Sequence, residues 1–148
     1  MNRQILLYLG TTFLILGTVL VAAYHFYAPK TETAQPTFQF QIVSAEAAQE
    51  KGLGGRADVP HNYGMLFVFP QDEKIGFWMK GMLVPIDIIW LADDGTVLKV
   101  DENVATSTYP NIYYPPQPVR YVLETRAGEA ALQRWSIGST ITLPVSVR

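Results

Sequence analysis

Asp87 is the one charged residue inside the apolar run Ile86 to Leu91. A carboxylate in a strand whose two faces are otherwise apolar is buried and needs a partner, because an unpaired buried charge is strongly unfavourable. Lys80 ends the preceding apolar stretch, and antiparallel pairing would bring it beside Asp87. Farther along, Arg120, Val122 and Glu124 alternate and share one strand face, which adds a second pair of opposite charges. Arg56 could join the group. Two chemistries are open to this set. As structural ion pairs, the residues fix strand register. As a functional site, Asp87 and Glu124 flank a pocket, one as proton donor and the other as base or nucleophile, as in a hydrolase of glycosides. Lys80 as an activated amine is disfavoured, since a neighbouring carboxylate stabilises its charged, unreactive form.

A second candidate surface is the aperiodic stretch Asp101 to Val119, where Pro110, Pro115, Pro116 and Pro118 interleave with Tyr109, Tyr113 and Tyr114. Tyrosines presented on stiff proline segments can stack on a sugar or grip a peptide. The alternative is a lid over an open sheet edge. His61 reads as a solvated loop histidine, Trp78 and Trp90 as core, and Trp135 as half exposed. The chain has no cysteine and two histidines, so neither a disulfide framework nor a zinc or copper site is expected, and no cofactor. There is no Gly-x-Ser-x-Gly elbow, no phosphate loop and no histidine pair on a helix. The glycines at 52, 54 and 55 do not follow a strand as a dinucleotide fingerprint would.

The elements that must carry these residues follow from periodicity. Phe38 to Val43 alternates as a half-buried strand, and a helix follows with Ser44 as its cap, alanines in its body and Gly52, Gly54 and Gly55 at its end. Gly64 to Phe69 and Ile75 to Lys80 read as strands. Ile86 to Leu91 and Thr96 to Val100 form a hairpin, because the Asp94-Gly95 pair between them supplies the positive φ of a tight turn. Arg120 to Thr125 is a further strand, Glu129 to Trp135 a short helix, and Ile141 to Val147 a closing edge strand carrying Pro144. Seven strands and two short helices predict an α+β, mainly β domain, built as a small, partly closed barrel or sandwich.

Ahead of it, Ile5 to Tyr27 runs 23 residues without a formal charge. At ~1.5 Å per residue such a helix crosses a hydrocarbon core of ~30 Å. Residues 1–27 are therefore expected to be a membrane anchor or uncleaved signal, 28–37 a linker, and 38–148 the globular domain. Cleavage near Ala23 would instead release a soluble exported protein, but the length of the run and the aromatic Tyr24, Phe26 and Tyr27 at its end favour retention. Arg3 and the α-amino group precede the span, so a single-pass topology with the domain outside the cytoplasm is expected. From Phe38 onward there are nine Lys or Arg against twelve Asp or Glu, which gives no basic footprint for nucleic acid. The partners expected are the membrane, through the N-terminal helix, and an envelope glycan or protein. The reading is of a membrane-anchored extracytoplasmic binding or accessory domain; a small glycoside-type hydrolase or a purely structural envelope partner are the alternatives.

Gly52-Leu53 with Arg56, GMLFVF at 64–69, FWMK at 77–80, PIDII at 85–89, the DDG turn and RYVLE at 120–124 followed by Ala127-Gly128 occur in one order. With these motifs the chain resembles the domain-of-unknown-function 192 family of bacterial and archaeal proteins. It departs from the family pattern at Gly54, where methionine is usual, and at Gly81-Met82, where Asn-Thr is usual. The resemblance implies a compact β-rich domain, often exported, and brings no established activity.

Overall fold

A computed structural model describes residues 37–147. The expected membrane segment and all of the expected linker before residue 37 lie outside them. Among the described residues no helix is long and apolar enough to cross a membrane. In chain order the elements are β1 (Gln39–Val43), α1 (Glu46–Lys51), β2 (Tyr63–Glu73), β3 (Phe77–Trp78), β4 (Ile86–Leu91), β5 (Val97–Val104), β6 (Ile112–Tyr113), β7 (Val119–Arg126) and α2 (Glu129–Leu132).

Five strands make one mixed sheet in the order β1-β2-β7-β4-β5, and β3 pairs with β6 as a separate two-stranded ribbon. β1 runs parallel to β2, and the other pairs are antiparallel. The domain is mainly β, with two short helices, as expected, but the main sheet is open and ends at β1 and β5 rather than closing toward a barrel. Closure fails at the C-terminus. Residues 141–147 form no strand; the chain meets the hairpin through the Thr96–Thr140 bridge and the Ile141 N–H, which donates to the Gly95 carbonyl at 2.9 Å. Pro144 has no N–H to extend a ladder, and the tail is held instead by the Tyr121 hydroxyl, which donates to the Val147 carbonyl at 2.5 Å.

The sheet is covered on both sides, which is why β4 is buried at every position. Met65, Phe67 and Phe69 of β2, Ile88 and Trp90 of β4 and Val122 of β7 share one face, against Leu53, Phe77, Met79 and Met82. Leu66, Ile89, Leu91 and Leu123 share the other, against Ala130, Ile141 and Leu143. Each of these large side chains contributes on the order of 1.5–3 kcal/mol by leaving water, so the alternation along the strands fixes which residue faces which layer.

The β4–β5 hairpin turns where expected: Gly95 takes φ +86° and the Asp94 carboxylate accepts the Thr96 N–H at 2.8 Å. Elsewhere the elements differ from the sequence expectation. The N-cap position of α1 is Ala45, with no side-chain cap, so Ser44 does not serve. The strand expected over 75–80 shrinks to Phe77-Trp78 and leaves the main sheet, and its partner Ile112-Tyr113 comes from the stretch read as aperiodic. Trp90 is fully buried, but Trp78 is 38% exposed. α2 ends at Leu132, leaving Trp135 half buried with its ring edge-on to Phe38 at 4.8 Å.

Candidate functional site: an aromatic cleft over Glu124

The register of β7 decides which charged side chains can meet. Glu124 lies opposite Met65 on β2 and Ile88 on β4, so it projects on the same face as Phe67, Trp90 and Val122. Asp87 lies opposite Thr125, one step out of phase, and projects from the other face. The two carboxyl groups therefore do not flank one pocket, and the expected catalytic pair is not formed.

Asp87 is wholly buried and accepts three backbone N–H groups, from Asn103 at 2.8 Å, Gly128 at 3.1 Å and Ala130 at 2.9 Å. It ties the end of β5 and the start of α2 to the middle of the sheet. Lys80 is exposed and faces the opposite layer, so the expected Asp87–Lys80 pair is replaced by these amide donors. Arg120 is exposed and makes no ion pair with Glu124. Arg56 donates to the Gln41 side chain at 2.7 Å and stacks over the Tyr63 ring at 5.4 Å. His61 is largely exposed, yet its Nδ1 lies 2.8 Å from the buried Glu129 carboxylate, which also accepts from the Asn62 N–H and the Gln133 amide. Burial works to raise the Glu129 pKa, but the bonds from Gln133, His61 and Asn62 with the charge on His61 outweigh it and hold the group below the usual carboxylate range.

Glu124 is buried without such a set of donors. Gln49 of α1 donates to the Val68 carbonyl at 3.0 Å and fixes the helix across β2. The helix then ends at Gly52 in a left-handed turn (φ +52°), and the Leu53 N–H just beyond donates to Glu124 Oε2 at 3.2 Å. A Cβ at position 52 would stand 2.9 Å from Oε2, so glycine is needed for space as well as for φ. Among the described residues Oε1 accepts no hydrogen bond, and Glu124 has no ion-pair partner. Burial raises its pKa to about 7; the Leu53 N–H and the charge of Arg56 pull the other way without cancelling it.

Above this carboxyl lies a cleft of ≈ 440 Å³ whose walls are Phe67, Phe69, Phe77, Trp78, Ile112 and Tyr114, with Glu46, Glu50, Lys51 and Lys80 also lining it. Phe67 and Phe77 meet edge to face at 4.8 Å, and Phe77 meets Trp90 in the same way at 5.3 Å, which makes the inner wall rigid. The outer wall is the ribbon. Gly76 lets it close in, since a Cβ there would be 2.5 Å from Ile112 Cγ2 and 2.9 Å from the Tyr114 ring.

Of the residues singled out by sequence, Glu124, Lys80 and Tyr114 meet in this cleft. Asp87, Arg56, Arg120, Tyr109 and Tyr113 do not line it; Tyr109 is exposed outside it, and Tyr113 packs against the core. The aromatic wall was missed, although the adjacent Phe77 and Trp78 beside a lysine were the available signal. No group of three metal-ligating side chains occurs among the described residues. Chemically, the cleft offers one weakly acidic carboxyl with a spare acceptor in an aromatic surround, which can receive a hydrogen-bond donor or a cation.

The DUF192 family model, described as uncharacterized ACR, matches residues 28–143. Among solved structures, a candidate transcription regulator from Sinorhizobium meliloti 1021 is 31% identical, with 68% of this chain and 78% of that one covered and a TM-score of 0.65. A protein of unknown function from Novosphingobium aromaticivorans DSM 12444 is 27% identical, with coverages of 72% and 75% and a TM-score of 0.66. None of the curated proteins matches the chain.

Proposed function

This chain belongs to the DUF192 family, and from that premise we propose that its domain is a binding module, held outside the cytoplasm by the N-terminal apolar segment, that takes part of an envelope glycan or protein into the cleft over Glu124. One observation carries the binding role: the acceptor Oε1, without a described protein donor, at the floor of an aromatic cleft. Among the described residues no buried side-chain oxygen lacks a partner, so Oε1 opens to the cleft, where a ligand donor can meet it. The 23-residue uncharged run supports the membrane placement. The regulator role named for the Sinorhizobium meliloti protein is not carried over, because this domain has an excess of acidic residues. The hydrolase alternative loses its second carboxylate, since Asp87 faces the other layer.

The test is capture from envelope extracts by the full chain. Trp78→Ala and Tyr114→Ser, which strip the outer wall, are expected to lose the captured component, while Tyr109→Ser keeps it. Equal capture by all three variants would remove the cleft as the binding surface.

A further inference from the structure

We infer that the group received at the floor of the cleft is a primary alkylammonium, its carbon stem lying along the aromatic walls. The inference rests on the cleft reading above. Glu124 Oε1 is an acceptor, and the carboxyl has no ion-paired cation among the described residues. Arg56 is near enough to act on it through charge, but its guanidinium is engaged by Gln41 and Tyr63. An ammonium supplies both what the oxygen lacks, a donor, and what the carboxylate lacks, a counter-charge, and such charge-assisted bonds are about twice as strong as neutral ones. The walls suit the rest of the group. Phe67, Phe77, Trp78 and Tyr114 accept a methylene stem, and their ring faces attract a cation on its way in.

A guanidinium fits less well, because its planar fork is matched best by two equally open oxygens, and one side of Oε2 is engaged by the Leu53 N–H. The mouth carries Glu46 and Glu50 beside Lys51 and Lys80, so the two lysines there are balanced and do not bar a cation. β2 and β3 present only uncharged side chains to Glu124, and Tyr114 is the remaining titratable side chain lining the cleft. Binding requires Glu124 ionised, whereas an alkylammonium stays charged up to about pH 10. Because burial holds the Glu124 pKa at about 7, affinity should rise by about tenfold between pH 6 and 8.

The experiment titrates the full chain, purified in mild detergent, while following Trp fluorescence. The probes are pentylamine, pentanol, Nα-acetyl-lysine methylamide and Nα-acetyl-norleucine methylamide. The expected result is at least tenfold tighter binding of each amine than of its neutral counterpart, increasing with pH, with preference and pH dependence both lost in Glu124→Gln. The comparison of amine with neutral probe and the pH profile need no variant, so a folding defect in Glu124→Gln would not blunt the test. Binding of the lysine amide but not of pentylamine would make a polypeptide the source of the group, and equal binding a free amine; both support the inference. Equal affinity for amines and neutral probes would overturn it and leave the cleft reading standing. So would no response to any probe while envelope capture still depends on Trp78. Capture independent of Trp78 and Tyr114 would remove both.

Discussion

Glu124 and Glu129 are both buried carboxyls, yet their environments move them in opposite directions because one meets a single donor and the other several. The consequences for stability are opposite too. With its folded pKa raised from 4.5 to about 7, Glu124 binds more protons in the native state than in the unfolded state across that interval. The domain should therefore lose stability as pH rises from about 4.5 to 7, by on the order of 3 kcal/mol from this group, and level off above. Glu129 has a lowered folded pKa, so its contribution is present above the ordinary carboxylate range and is lost as pH falls through the folded value. Urea denaturation of Glu124→Gln should show the fall between pH 5 and 7 flattened. A profile parallel to that of the parent chain would show that Glu124 is not held protonated. Asp87 obeys a different rule. Removing it orphans three amide donors, so Asp87→Ala should cost about 3–5 kcal/mol. Lys80→Ala should stay within about 0.5 kcal/mol. The two changes should add in a double-mutant cycle, whereas a coupling energy would mean that the residues interact after all.

At the scale of elements, the ribbon of β3 and β6 makes the cleft. Gly76→Ala places a methyl group against Ile112 and Tyr114. The ribbon should shift outward at a cost of about 1–3 kcal/mol, weakening ligand binding while the main sheet stays intact. Unchanged binding with the same loss of stability would detach the ribbon from the site. The ribbon also marks where sequence stops being informative. A two-residue strand has no period to read, and its partner lies in a proline-rich stretch that suppresses any strand signal. The β4–β5 hairpin was legible because its turn and both arms are local. That Asp87 is buried was legible from the apolar residues on either side of it, but its partners were not. They are backbone amides of residues 103, 128 and 130, and an amide leaves no mark in a sequence. The same holds for Glu124, whose single donor is the amide of Leu53, brought in by a glycine turn.

For the whole molecule, the family and the mainly β character followed from motif order and alternation, while the open sheet turned on a tail that forms no strand. The cleft draws on α1, β2, the ribbon and β7, segments far apart in the chain, so it exists only once the sheet order is known. The proposed placement outside a membrane is checked by fusing a compartment-sensitive reporter after Arg148. Activity confined to the exterior is expected, and activity confined to the cytoplasm would reverse the orientation. The central claim is that the working surface is the cleft over Glu124, and the most direct test is photocrosslinking in intact cells. With Trp78 replaced by a photoreactive phenylalanine analogue, the full chain should form a discrete adduct with an envelope component, and the same analogue at Tyr109 should form none. No adduct from position 78, or the same adduct from both positions, would contradict it.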